Sequence, residues 1–572
     1  MRRLLTPVIL IAAVALLYGR TVTFDFVNYD DYDLVTRNAD FLGDPGNILT
    51  SFTTHAFTSH REESVYYRPV LLISYFADYF AWGLKPAGYH LTNVFLHTLA
   101  ALFLFALARE TLRQAGVPTK AAPAADAGSR DETTAFFTAL IFAAHPVQTE
   151  SVAWVSGRND ILLGALLIGS LLCYVLQYRQ GRARALMFPL SAVLFAAALL
   201  TKESALFIVP LYPLYDLTVR RESPGTLFPG IKHPGVPVFL AIALAYLGVR
   251  YNIFGSFIGA EKLYGTIPFG NRILMAPGLA LVNLLFLVWP AGLSIVHPIE
   301  HVPWFDWPFI LIAVAASAGL LTLWAWFFRK GPVLSWSLGW VIVCLVPVLN
   351  IFPLAVPILE HRLYLAAAGF AFALTLAVSG ILRMAGAGER RIPVFAAVGL
   401  VLAGLSWARL PVWRNSESLW LDAIEKEPGG SRAYFNLAGY YFEEGNYDSA
   451  IPMLESYVKL RPDDFTGYSK LRQTYFLAGR LDEAAGVCRT LINRNPENVG
   501  RYLEAGVLFE RLGISDSVIA VYEEGLRVHP EFYQLHNRLG MWYSRLGDTL
   551  RSRRHLEAAD SLARALRAPE VR

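Results

Sequence analysis

The chain has 572 residues, of which 55% are hydrophobic and only 17% charged, with a mean hydropathy of +0.40. A soluble domain carries about 25% charged residues, so a single water-soluble domain is excluded, and the length calls for more than one domain. The formal net charge of +4 comes from residues 1–408, which hold 28 Lys/Arg against 23 Asp/Glu, while 409–572 hold 22 against 23. No dense basic patch stands out, which excludes a nucleic-acid partner. Cys173, Cys344 and Cys488 have the spacing of neither a metal site nor a disulfide framework, and no metal or cofactor is expected.

A membrane span needs about 20 mostly apolar residues. Met1–Tyr18 is followed by no clean small-x-small cleavage site and reads as an uncleaved first span. Further apolar stretches lie near 89–108, 134–146, 160–178, 185–200, 204–218, 236–252, 273–290, 308–328, 333–349, 361–381 and 392–408. The Lys/Arg bias of short loops sets orientation. Arg2 and Arg3 put the N-terminus in the cytoplasm, with 21–88 outside and 109–133 inside. Arg179, Arg182, Arg184, Arg220, Arg221, Arg329, Lys330, Arg383, Arg390 and Arg391 also read as cytoplasmic. Twelve simple crossings cannot satisfy all of these, and 273–290 is the segment expected not to cross. Eleven spans then carry the C-terminal region outside.

That region changes character. Gly445, Gly479, Gly513 and Gly547 recur every 34 residues, as do Pro462, Pro496 and Pro530, and Tyr441, Tyr475, Phe509 and Tyr543. Thirty-four residues is the period of the tetratricopeptide repeat (TPR), a pair of antiparallel helices. The glycines suit the turn within a repeat, the prolines the end of its second helix, and the aromatics the packing between helices. Full repeats are expected near 431–464, 465–498, 499–532 and 533–566, and 416–430 reads as the second half of an earlier unit. The expected fold is therefore all-α: a polytopic membrane domain, 1–408, and a TPR α-solenoid, 409–572.

Polar clusters interrupt the apolar stretches, and each has a plain structural alternative. Asp30 and Asp31 stand together just after the first span. Neighbouring acids repel, which raises one pKa, and an acid there can deprotonate an acceptor hydroxyl; a solvated turn or a cation site is the plainer alternative. Arg68 sits at the aqueous end of the next span, downstream of His60. His90, Asn93 and His97 share one helix face. Helix-to-helix hydrogen bonding suits His97, whereas His90 is open to either role. His145, Glu150 and Arg158 gather between two apolar stretches, Lys202 and Glu203 form a tight turn, and Glu360, His361 and Arg362 precede another span. Lys202 and Glu203 could simply pair with each other. Taken together, these groups place cations and a carboxylate pair on one membrane face. That suits a lipid-phosphate sugar donor, because Arg and Lys neutralise phosphate and a carboxylate can take the acceptor proton. Phosphate leaves readily, so no general acid is required, unlike the two-carboxyl glycosidases.

The blocks YRPVLLISYFADYFAWGLKPAGYHLTNVFLH, FAAHPVQTESVAWVSGRND, LLTKESALFIVPLYPLYD and EHRLYLAAAGFAF, with the run WRNSESLWLDAI leading into TPR units, resemble the transmembrane and TPR-containing O-mannosyltransferase family from about residue 20 to 566. The resemblance implies a GT-C glycosyltransferase core that uses a polyprenyl-phosphate sugar. It implies an acidic pair in the first outer loop, here Asp30 as base beside Asp31. Donor-phosphate contacts then fall on Arg68, His145, Arg158, Lys202 and Arg362, with His60, His90, Glu150, Glu203 and His361 as further candidates. The implied function is inverting transfer of a hexose, mannose in the family, from the lipid donor to Ser/Thr hydroxyls of exported proteins. The polypeptide acceptor would lie on the TPR surface. Tracts such as AAPAADAGSR look bacterial, which would put the protein in a cytoplasmic membrane with its repeats outside; in a eukaryote it would lie in the endoplasmic reticulum membrane. The rivals are the same donor chemistry on a lipid or glycan, and a non-catalytic membrane anchor displaying a TPR scaffold.

Overall fold

The computed structural model describes residues 2–57, 66–116, 124–179, 184–223, 235–257, 267–297, 302–354 and 356–567. The candidate His60 lies outside the described residues. Every regular element described is helical. The chain divides into two compact units, Met1–Glu427 and Pro428–Arg572.

Among the described residues, eight helices of the first unit are long and apolar enough to cross a membrane: Leu5–Thr23, Pro86–Gln114, Arg158–Leu176, Val236–Phe254, Phe269–Val288, Trp307–Lys330, Glu360–Met384 and Gly388–Trp413. Two shorter apolar helices, Arg184–Leu199 and Pro332–Val348, accompany them. The remaining two apolar stretches take other forms. Residues 134–146 are the apolar half of a helix, Ala124–Ala144, whose early turns carry Asp126, Arg130, Asp131 and Glu132. Residues 204–218 break into a 3-10 helix, Glu203–Ile208, and a helix, Leu211–Thr218, because Pro210 and Pro213 interrupt the backbone ladder. The segment expected not to cross, 273–290, forms a continuous helix of 20 residues, Phe269–Val288.

One helix was absent from the sequence reading. Pro69–Trp82 lies within the stretch expected as an outer loop. Pro69 occupies its first turn, where a missing N–H costs nothing, and Gly83 ends it with φ +61°. It buries Leu71, Leu72, Tyr75 and Phe76 against Phe26, Leu34 and Val155, so it belongs to the core beneath the acidic loop. Arg68 therefore precedes this helix and not the next span.

Exposure separates inner from outer helices. The apolar window of Arg158–Leu176 is 78% buried within the protein, and that of Trp307–Lys330 only 6%. The first is a central helix. The second leaves Leu311, Ile312, Leu321 and Trp326 exposed, as a helix solvated by lipid does.

The second unit is four helical hairpins: Ser431–Glu443 with Tyr447–Leu460, Phe465–Leu477 with Leu481–Arg494, Val499–Leu512 with Ser515–Val528, and Tyr533–Arg545 with Thr549–Arg567. The turn glycines Gly445, Gly479, Gly513 and Gly547 all take φ between +68° and +80°, a region costly for residues with a Cβ. Tyr475, Phe509 and Tyr543 are buried in one continuous core. The half-repeat expected at 416–430 is a helix, Ser416–Lys426, grouped with the first unit.

The fragment 428–572, expressed alone, is expected to show strong helical circular dichroism and a single cooperative melt. Gly506→Ala should destabilise it by about 1–3 kcal/mol, the usual cost of overpacking, because a Cβ there would lie 1.9 Å from the Tyr522 ring. An unchanged melting temperature in that variant would overturn the packing argument.

Candidate functional site in the membrane unit

The site is assembled from the loop after the first span, the segment Gln148–Asp160, the Lys202–Glu203 turn and the 3-10 helix Glu360–Leu363. Asp31 is fully buried. One carboxylate oxygen accepts from the Val27 amide at 3.1 Å. The other accepts from the Ser156 amide at 2.8 Å and the Ser156 hydroxyl at 2.5 Å. Burial pushes Asp31 up to about 7, against the pull of these hydrogen bonds and with help from the charge of Asp30. Asp30 is only partly buried. Of the acidic pair, one is thus enclosed by donors and the other lies nearer the surface.

The short helix Gln148–Ala153 and the turn after it lead from Glu150 to Asp160. Glu150 accepts from the His361 amide at 2.9 Å and faces His361 Nδ1 at 2.8 Å. Asp160 is the junction of the network: both its oxygens lie 2.7 Å from Lys202 Nζ, and one lies 4.0 Å from His361 Nε2. Lys202 also donates to Asn159 Oδ1 at 2.8 Å. The Val70 amide donates to the Leu200 carbonyl at 3.0 Å, which brings Arg68 beside this turn. There Arg68 grips Glu203 with two nitrogens, at 3.0 and 3.3 Å, and lies over the Tyr66 ring. Lys202 and Glu203, neighbours in sequence, thus pair with other partners and not with each other.

Arg362 differs from the other cations. It is partly buried, and its guanidinium donates to the Val356 carbonyl at 2.5 Å. Among the described residues it forms no ion pair, and it lies within electrostatic reach of Asp160, Glu150, Tyr29 and Tyr66. Among the described residues, Arg68, Arg158 and Lys202 are each paired with a carboxylate, and Arg362 is not.

Two of the predicted phosphate contacts are engaged by protein groups. Arg158 is fully buried and has no donor left for a ligand. It pairs with Asp78 at 2.5 Å and donates to Asn93 Oδ1 and to the Tyr89 and Ser74 carbonyls, between the rings of Tyr75 and Tyr89. His145 is also buried, with Nε2 on the Leu287 carbonyl at 2.9 Å and Nδ1 accepting from the Val147 amide at 3.4 Å. Those partners fix a neutral tautomer. His97 bridges Tyr364 Oη and the Ala143 carbonyl, the helix-to-helix role expected of it. His90 is buried edge-on against Phe24. Glu360 accepts from the Ser294 amide and faces His297.

The sequence reading passed over Asp160, Asp78 and Ser156. The signal for both aspartates was available, since acids inside apolar helices rarely lack a partner. Also passed over was an aromatic layer beside the acidic pair. Tyr29 stacks on Trp154 (centroids 5.0 Å, 27°), Trp154 on Trp413 (6.1 Å, 24°), and His361 tilts against Trp154 at 5.5 Å.

These features define a multi-pass helical membrane protein with an acid-and-cation site at one end of its helices and a TPR solenoid as a second unit. Two family models described as tetratricopeptide repeat match residues 413–465 and 441–507. Its homologues are the transmembrane and TPR-containing protein O-mannosyl-transferases. Tmtc3 of Drosophila melanogaster is 24% identical over 501 residues, which is 76% of this chain and 53% of that protein. TMTC4 of Mus musculus is 24% identical over 504 residues, 76% of this chain and 64% of that protein. Tmtc1 of Drosophila melanogaster reaches 33% over 215 residues, 36% of this chain and 22% of that protein. The chain thus spans between about half and two thirds of the length of the first two relatives. Among solved structures, MamA of Desulfovibrio magneticus RS-1 covers 34% of this chain and 96% of its own at 15% identity, with a TM-score of 0.23, too low to bear on the fold.

The enclosure of Asp31 has a measurable consequence. The folded protein keeps a proton there up to about pH 7, while an ordinary carboxyl releases it near 3.8. This contribution to stability is therefore fullest below about pH 4 and is lost as pH rises through about 7. Between pH 4.5 and 7.5, the melting temperature of detergent-solubilised protein should fall more steeply in the parent than in Asp31→Asn. Parallel slopes would mean that Asp31 does not titrate in that window.

Proposed function

We propose that this protein is an inverting glycosyltransferase that moves a hexose, mannose as in its relatives' names, from a polyprenyl-phosphate donor to Ser/Thr hydroxyls of exported polypeptides. The observation that carries the reading is convergence: Lys202, Arg68, His361 and Arg362 come from distant parts of the sequence and gather around Asp160, and Asp31 is held by Ser156 from the same segment as Asp160. An inert anchor gains nothing from so many buried ions, each costly to desolvate.

Asp30 is taken as the base because it is the partly buried member of the pair, whereas Asp31 is fully buried. As the acceptor oxygen bonds to the anomeric carbon, its proton passes to Asp30. The bond from that carbon to the phosphate oxygen breaks on the opposite face, and polyprenyl phosphate leaves as the anion. Arg362 neutralises the phosphate, while Arg68 and Lys202, already paired with Glu203 and Asp160, set the surrounding field. The TPR unit offers a surface for the polypeptide.

Topology follows from which ends share a level. Gln114 bonds both the Val175 carbonyl and Tyr215 Oη, which supports a cytoplasmic layer. Asp31, Ser156, Lys202, His361 and Trp413 supply the opposite layer. Tyr67 against Phe254, and His145 on Leu287, support the same level for the end of one helix and the end of the next. On this reading Phe269–Val288, although long and apolar enough to span, does not cross, so that eleven crossings carry the chain to its repeats outside the cytoplasm, at a bacterial cytoplasmic membrane.

Asp30→Asn keeps size and hydrogen bonding but cannot take a proton. Single-turnover transfer from polyprenyl-phosphate mannose to a Ser/Thr peptide should fall by about 10²–10⁴-fold, with donor binding retained. Arg362→Ala should weaken donor binding by about 1.5–3 kcal/mol, the worth of a charge-assisted hydrogen bond. Near-native transfer by well-folded Asp30→Asn would remove it as base.

A reporter enzyme active only in the cytoplasm and fused after Arg572 should be silent. A working fusion would reverse the topology.

A further inference from the structure

The segment that leads the chain out of the membrane unit also grips the acidic loop. It consists of a 3-10 turn, Leu410–Trp413, and the junction helix Ser416–Lys426, whose first turn is fixed by an Asn415 capping box. Three hydrogen bonds tie it to the residues just before Asp30. The Asp25 amide donates to the Arg414 carbonyl at 2.9 Å, the Asn28 amide to Ser416 Oγ at 2.8 Å, and Trp420 Nε1 to Asn28 Oδ1 at 2.6 Å. Trp420 is fully buried and meets the Tyr29 ring edge-on at 5.9 Å. Tyr29 is thereby held between Trp420 and Trp154. On the far side of Asp30, Asp31 is enclosed by Val27 and Ser156. Asp30 is thus the residue between two fixed neighbours, one of which is fixed by the junction.

The junction helix is itself braced within the same unit. Asp422 takes Arg409 at 2.6 Å and Lys426 at 2.8 Å, and Lys426 also donates to the Leu293 carbonyl at 2.7 Å. The adjoining Ser294 amide bonds Glu360, next to His361 and Arg362. One short helix therefore touches the segment before the acid and a residue next in sequence to a partner of the cationic turn.

We propose that Trp420 and Asn28 are positioning residues for Asp30, so that the junction helix sets the placement of the base. This rests on the reading of Asp30 as the base. The indole N–H is a buried donor that needs a partner, and Asn28 supplies it from the loop. An active-site group must be held by partners whose own positions are fixed, and a displacement of about 1 Å can cost about 10²-fold in rate.

The test uses the full chain in nanodiscs, with polyprenyl-phosphate mannose and a Ser/Thr peptide. Trp420→Phe removes the N–H and keeps an aromatic, though smaller, ring, and Asn28→Ala removes the same bond from the other side. Each should lower kcat by about 10-fold or more while leaving both KM values within about twofold, and should speed amide exchange across 24–31. The double variant should be no slower than the worse single variant, since both remove one bond. Unchanged kcat and exchange, or losses that multiply, would overturn the proposal. So would a matched fall in kcat and melting temperature with no selective change in loop exchange, the mark of a purely structural role. If Trp420→Phe fails to fold, Asn28→Ala decides alone. Full transfer by Asp30→Asn would instead sink the base, whatever the exchange data say about the clamp.

Discussion

The buried pair between Arg158 and Asp78 is the constraint on which the membrane unit is arranged. A guanidinium with no exposed surface is tolerable only if every donor is met, since desolvating an ion costs several kcal/mol that only good geometry returns. Meeting them fixes Pro69–Trp82 through Asp78 and the Ser74 carbonyl, and Pro86–Gln114 through Asn93 and the Tyr89 carbonyl, against the start of Arg158–Leu176. The residues either side of Arg158 then have no freedom. Ser156 points its amide and hydroxyl at Asp31, and Asn159 and Asp160 meet Lys202. The site's electrostatics are thus hung on a charge buried behind it.

A graded use of charge follows. Arg158 is wholly matched and fully buried, Lys202 and Arg68 are matched but nearer the edge, and Arg362 is partly buried with no carboxylate partner among the described residues. Inside a low-dielectric protein an unmatched cation is retained at a cost. The same gradient runs through the acidic pair, from the enclosed Asp31 to the more open Asp30.

The solenoid obeys a different rule. Its stability lies in repeated neighbour contacts and not in one buried charge. Small residues at the helix contacts, such as Gly506 against Tyr522, let aromatics fill the space between helices. Where aromatic hydroxyls reach the surface they are answered by acids, as Tyr475 by Glu455, Tyr522 by Glu510 and Tyr543 by Glu523. These three phenols keep the partner they would otherwise lose with water.

The sequence by itself determined the helical class, the repeats and the polar blocks. Each is a local periodic signal: a 34-residue register, a run of apolar residues, a charge beside such a run. The expected positions of Gly445, Gly479, Gly513 and Gly547 needed nothing more, because positive φ at a turn is a local demand. What only the tertiary structure decided is which charge answers which. Lys202 and Glu203 are adjacent, yet Lys202 answers Asp160 and Glu203 answers Arg68. Arg158 and His145 looked as suited to phosphate as Arg362, and only packing consumes their donors. Helix Pro69–Trp82 and the Trp420–Asn28 bond were likewise hidden, the first because 14 residues are too few for a span, the second because its partners lie 392 positions apart. Pairing between buried charges depends on distance in space, and an unaligned sequence records only distance along the chain.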